Sequence, residues 1–186
     1  MNEAQPIKSK NDINKLKKAA ANDRDRLLIT FGVNTGLRIS DIIDLKVGDL
    51  FDGRSNQPKK AVKIKEKKSR KTKTFTLNQT IAKDLKKTVK DPTDREAFVF
   101  QSRRGNNGIS RIQAHRILAA AAERAGLDYP VSSHSLRKTF GYHAYNNGVD
   151  LTLLMKIFNH SSQEITLRYI GIQREDIDAV YDGLAL

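Results

Sequence analysis

The chain has 186 residues, enough for one well-filled hydrophobic core and short for two. Its 34 Lys and Arg against 21 Asp and Glu give a formal net charge of +13, so the default partner is a polyanion, with nucleic acid ahead of an acidic membrane surface. The absence of cysteine excludes disulfides, zinc fingers and thiol catalysis, four His without an H-E-x-x-H pattern speak against a metal site, and no stretch has the length of a signal peptide core or a membrane span; a soluble, cytoplasmic protein is expected.

The first ten residues, MNEAQPIKSK, read as a loose N-terminus (1–10), followed by one folded unit over 11–186. Ile13, Leu16, Ala19 and Ala20 have helical spacing, with Asn11 or Asp12 as N-cap. A second helix is expected over about 23–34, stopped by Gly36. RISDIIDLKVGDL reads as a short helix turning into extended chain, and DGRSNQP (52–58) as turn. Between residues 60 and 77 the period changes to two. Val62 and Ile64 alternate with Lys63 and Lys65, and Thr72, Thr74 and Thr76 alternate with Lys73 and Phe75, which predicts two strands joined by a basic turn over 67–71. Helical spacing resumes at Ile81 and Leu85. AFVF (97–100) predicts a short strand, QSRRGNNG a loop, and helices are expected over about 111–125, 134–147, 151–158, 163–170 and 174–182. The fold class is mainly α with a small antiparallel β-sheet (α+β).

Four stretches carry residues with chemical potential. In SSHSLRKTF, His134 and Arg137 are three apart and share a helix face near an N-terminus capped by Ser132 or Ser133. An imidazole that moves protons near neutral pH beside a guanidinium that grips phosphate suits phosphoryl transfer, although for this pair alone a surface helix bearing a His and an Arg is the leading explanation. In FNHSSQEITLRYI, His160 ends an apolar helix and Tyr169 lies nine residues on. A lone tyrosine on an amphipathic helix is as a rule half-buried core, and its pKa near 10 makes it a poor nucleophile unless cations surround it. In NTGLRISDI, Arg38 follows a Gly-marked helix end. Finally, nine Lys or Arg lie between Lys59 and Lys73 with only Glu66 to offset them; on a projecting β-ribbon, Lys63, Lys65, Lys67, Arg70, Lys71 and Lys73 are placed to ride DNA phosphates or enter a groove.

In this order, these pieces resemble the tyrosine recombinase (phage integrase) family over about residues 9–182. TGLRISDI is similar to the family's first arginine box, which implies Arg38 in a phosphate clamp and Asp41 as the supporting acid. KIKEKKSRKTKTFTL resembles the family's β-ribbon with its catalytic lysine; that role falls on Lys68, with Lys67 or Lys71 as alternatives. HSLRKTF resembles the second box, with His134 and Arg137, and NHSSQEITLRY the third, with His160, Thr166 and Tyr169. Two positions depart from the pattern: Phe158-Asn159 stands where Leu-Gly is common, and Lys138 where His is frequent. Most members also carry an N-terminal core-binding domain, so either a naturally short recombinase or a fragment is expected.

The resemblance implies the catalytic-domain fold and a nucleophilic Tyr169 that cuts and rejoins double-stranded DNA through a 3′-phosphotyrosine. It implies no metal or other cofactor. It also implies a homo-tetramer on DNA, monomeric when free, whose tail over 173–186 (Ile177, Val180, Leu184) docks on a neighbouring protomer or on its own core. Two other readings fit the charge: a non-catalytic DNA-binding relative, and DNA relaxation of the type IB topoisomerase kind.

Overall fold

The structure, a computed structural model, describes residues 4–68, 70–172 and 181–183. The tail expected to exchange between protomers, 173–186 with Ile177, Val180 and Leu184, and the helix expected over 174–182 lie outside the described residues apart from 181–183.

Helix α1 (Lys10–Lys18) begins one turn earlier than the sequence suggests, because Ser9 rather than Asn11 or Asp12 is its N-cap and accepts the Asp12 N–H at 3.2 Å. The loose N-terminus expected over 1–10 is corrected for its second half. Ile7 is fully buried, its N–H donates to Thr139 Oγ1 (2.8 Å), and its carbonyl accepts from His143 Nε2 (3.0 Å). A single Ile in a polar decapeptide carries no period, so the sequence did not signal this anchor.

Helix α2 (Asp23–Thr35) is buried on almost every side, from Leu27 through Gly32, and therefore runs through the middle of the molecule. It ends at Gly36 in the left-handed region (φ 59°), as expected for a glycine stop. The next segment differs from expectation. A short helix α3 (Ile39–Ile42) is followed by a second, α4 (Val47–Leu50), whose Asp49 accepts the Lys46 N–H at 2.8 Å, so the extended stretch between them shrinks to about Lys46. That has a consequence for residues 97–100, expected as a strand. Phe98 pairs with Lys46 as an isolated bridge, flanked by Val47 N–H to Ala97 O and Val99 N–H to Leu45 O, both 2.9 Å. A partner wedged between two helices cannot extend the ladder, so no strand forms.

The period-two segment folds as expected. β1 (Ala61–Lys65) pairs antiparallel with β2 (Thr72–Thr76) in the register Lys63↔Thr74, with Val62 buried and Ile64 and Phe75 half-buried on the core face. Five helices complete the described fold: α5 (Gln79–Thr88), α6 (Arg111–Arg124), α7 (Ser133–Asn146), α8 (Leu151–Phe158) and α9 (Gln163–Ile170). Asn78, Ser110, Ser132, Asp150 and Ser162 cap them in turn, each accepting a first-turn N–H.

The core has three parts. Phe31 meets Phe75 and Phe100 edge-on at 6.0 Å where α2 faces the hairpin. Ile7, Leu16, Ile29, Leu118 and Leu136 join α1, α2, α6 and α7. Leu154, Phe158 and Ile170 join α8 and α9 to α7. This third part depends on Gly141 of α7: a Cβ there would lie 2.5 Å from Ile170 and 2.7 Å from the Phe158 ring. Neither buried neighbour has room to retreat, so we expect Gly141→Ala to lower stability by about 1–3 kcal/mol, read as a lower urea midpoint with an unchanged slope.

Candidate active site

Helix α7 buries Ser135, Arg137, Lys138 and Thr139 in succession, an uncommon run of polar side chains for a helix interior. Buried cations need partners, and following Arg137 to its partners leads to the site. Its guanidinium donates to the Gly36 carbonyl at the end of α2 and to the Phe158 carbonyl at the end of α8 (3.2 Å), and it lies 4.8 Å from the Phe158 ring centroid. The Tyr169 hydroxyl lies within reach of its positive charge. One side chain thus ties together the ends of two helices.

These residues floor a cleft of about 870 Å³ lined by Arg38, Lys68, His134, Arg137, His160 and Tyr169. The six side chains given catalytic roles by the resemblance line one cavity, although they come from four separate stretches of chain.

Arg38 is the N-cap residue of α3, immediately past the turn that Gly36 and Leu37 make, and its Nη1 donates to Glu66 Oε1 at 2.9 Å. Glu66, buried at 4% exposure, was missed as a site residue. Its signal was present as the lone acid in a basic run, and its effect is to hold Arg38 rather than to dilute the hairpin's charge. Asp41, buried at 5%, accepts the Lys67 N–H at 3.0 Å, so it steadies the base of the hairpin turn.

His160 follows Asn159, which adopts the left-handed conformation (φ 57°, ψ 49°) that ends α8. Its Nδ1 lies 3.2 Å from Thr166 Oγ1, and that hydroxyl donates its proton to the Ser162 carbonyl at 3.0 Å. Nδ1–H is therefore the donor of the pair and Nε2 is the free nitrogen. Burial, then Arg137 and Arg38, push the His160 pKa below its ordinary 6.5. His134, exposed at the cleft rim in the first turn of α7, is also lowered, first by desolvation and then by Lys138 and Arg137. Both imidazoles are neutral at pH 7. Tyr169 rests against the His160 ring (centroids 4.9 Å) and under the Lys138 ammonium (5.4 Å from its centroid). Burial raises its pKa, while Arg137 and Arg38 pull the other way.

The basic hairpin divides. Lys63, Lys65 and Arg70 are exposed. Lys67 donates to Asp44 (2.7 Å), Lys71 to Asn159 Oδ1 (2.7 Å) and Lys73 to the Ile157 carbonyl (3.0 Å). Of the three lysines considered for the cleft, Lys68 lines it without a hydrogen-bonded partner among the described residues. Lys73, placed in the sequence among the groove-facing cations, is corrected: its ammonium points inward, and burial with Arg137 nearby lowers its pKa to about 8. Among the described residues no three His, Asp or Glu converge to hold a metal ion, and no helix is long and apolar enough to cross a membrane.

A model of the phage integrase family matches residues 8–175. The chain is 40% identical over 183 residues to the probable integrase/recombinase YoeC of Bacillus subtilis (strain 168), covering 97% of each chain. It spans about half the length of the XerA and XerD tyrosine recombinases it also matches. Its backbone superposes on the crystal structure of XerA recombinase with TM-score 0.77 at 21% identity, over 100% of this chain and 66% of that one. It superposes on the catalytic domain of bacteriophage HP1 integrase with TM-score 0.60 at 21% identity, over 98% and 96%. The chain belongs to the phage integrase family, and its fold is that of the tyrosine recombinase catalytic domain.

Proposed function

We propose that this protein is a site-specific recombinase that cuts and rejoins double-stranded DNA through Tyr169. The observation that carries this reading is the convergence of Arg38, Lys68, His134, Arg137, His160 and Tyr169 on one cleft, with the charge of Arg137 acting on the tyrosine hydroxyl. Tyr169 Oη attacks the scissile phosphorus and the bond to the 5′-oxygen breaks. The tyrosine proton passes to the neutral His134 imidazole, and Lys68 protonates the leaving 5′-oxygen. Arg38 and Arg137 neutralise charge on the non-bridging oxygens, His160 donates to the phosphate once it takes up a proton on Nε2 beside the bound anion, and Asp41 and Thr166 hold the hairpin turn and His160 in place. A second strand's 5′-hydroxyl reverses the step, so the phosphodiester energy is conserved and neither cofactor nor metal has a task. Lys63, Lys65 and Arg70, with the outer stems of Lys67 and Lys71, meet the duplex. A homo-tetramer on DNA, monomeric when free, is the assembly that permits exchange between duplexes, and its setting is the cytoplasm, at the nucleoid.

The raised pKa of Tyr169 keeps its hydroxyl protonated at rest, so attack awaits a phosphate seated between the arginines. Capture of covalent protein–DNA adducts from cells under denaturing conditions tests this: wild type yields adducts at defined sites, Tyr169→Phe yields none while its DNA affinity changes little. A wild type that forms no adduct on any DNA overturns the reading. With about six phosphates contacted, log affinity should fall with log salt at a slope of about −5, and neutral substitutions at Lys63, Lys65 and Arg70 should flatten it.

Binding should also strengthen as pH falls. Both histidines start with pKa values below 6.5, and a phosphate diester beside them raises both, so the complex binds more protons than the free protein in the window around and below pH 6.5. Isotherms between pH 7.5 and 5.5 measure this, and a His134→Gln, His160→Gln double variant should lose the pH slope.

A further inference from the structure

The end of α8 is held by three cations. Its last two carbonyls have no helical donor: Ile157 O accepts from Lys73 Nζ (3.0 Å) and Phe158 O from Arg137 (3.2 Å). The next residue, Asn159, accepts from Lys71 Nζ through its side chain (2.7 Å). Two of these cations come from the hairpin. Lys71 and Lys73 are two apart, so they leave the second strand on the same side, toward α8. The first strand is fastened at the opposite edge of the cleft, by Glu66 to Arg38 and by the Lys67 N–H to Asp41. The turn that carries Lys68 is thereby moored on both sides, and one mooring is the helix end that leads to His160 and Tyr169.

Position 159 shows why this arrangement is more than surface pairing. Its φ of 57° suits glycine, and asparagine is the residue that accepts this conformation while adding an acceptor. Lys73 is likewise costly to place: its ammonium is largely buried, with Arg137 and Arg38 opposing its charge and Glu66 and Asp41 favouring it. The negative end of α8 and the Ile157 carbonyl compensate.

We propose that Lys73 and Asn159 are positioning residues that latch the β1–β2 hairpin to the C-terminus of α8, fixing the Lys68 ammonium on the phosphate that Tyr169 attacks. This rests on the roles given above to Lys68 and Tyr169. The latch acts on the leaving-group proton and not on DNA affinity or on the nucleophile.

A leaving group that needs no proton separates the alternatives. In a duplex carrying a site recovered as an adduct from cells, the scissile 5′-bridging oxygen is replaced by sulfur; the P–S bond then breaks to release a thiolate, which leaves without Lys68. Asn159→Gly keeps the backbone conformation and removes the acceptor, Lys73→Met keeps the stem and removes the donor, and Asn159→Asp keeps an acceptor. On the oxygen substrate the Asn159→Gly, Lys73→Met double variant should cleave on the order of 10- to 100-fold slower than wild type, the scale of a misplaced general acid. On the sulfur substrate it should run close to wild type, and Asn159→Asp should do so on both. Hydrogen exchange should show faster amide exchange across residues 61–76 in the double variant, with an unchanged urea midpoint. Equal losses on both substrates, an unimpaired oxygen rate, or undisturbed hairpin exchange each overturn the latch. If wild type itself forms no adduct, the failure is of the recombinase reading.

Discussion

A guanidinium removed from water must be surrounded by acceptors, and Arg137 finds its acceptors at the ends of two helices. The Gly36 and Phe158 carbonyls are groups that α2 and α8 leave without helical donors, so one side chain satisfies two helix ends while its remaining face is turned to the cleft. The constraint works in both directions. The arginine can be buried because those helices end where they do, and their ends are fixed relative to each other because it is there. Arg38 begins two residues past one end and His160 two residues past the other.

Around this centre the charges are graded rather than merely summed. Cations line the floor and edges of the cleft, and two of the nearby acids are placed behind them, Glu66 on Arg38 and Asp41 beneath the hairpin turn, while Asp44 lines the edge paired with Lys67. Acids so placed orient cations without filling the cleft with negative charge, leaving an opening suited to an anion. Burial sets the directions of the pKa shifts, and the crowded cations add to it at the histidines and oppose it at the tyrosine. Histidines beside buried arginines resist protonation until an anion arrives, and a buried tyrosine keeps its proton although two guanidiniums favour its loss.

Much of this was legible in the chain. Ser132 and Ser162 announce helix starts, Gly36 a stop, and the Val62–Ile64 and Thr72–Thr76 alternations a hairpin, because each signal is local and backbone physics answers it directly. The identities of the cleft residues were legible from motif order. What escaped reading was set by tertiary context. Ile7 is anchored by residues more than 130 positions away. Residues 97–100 have strand composition but a partner too short to pair with. Among the hairpin lysines the sequence shows equal charges, while the fold sends Lys73 inward and leaves Lys63 and Lys65 outside. Glu66 read as a minor offset because its partner, Arg38, lies 28 residues earlier.

The clip at Ile7 gives the molecule a lever. The segment ahead of α1 is pinned through Thr139 and His143 to α7, the same helix whose preceding turn carries Arg137. One hydrogen bond, from the Ile7 N–H to Thr139, and half a helical turn separate the backbone of residue 7 from the residue whose guanidinium lies at the centre of the cleft. A displacement of the N-terminal segment is therefore passed to the helix that carries Arg137 rather than absorbed in a slack leader.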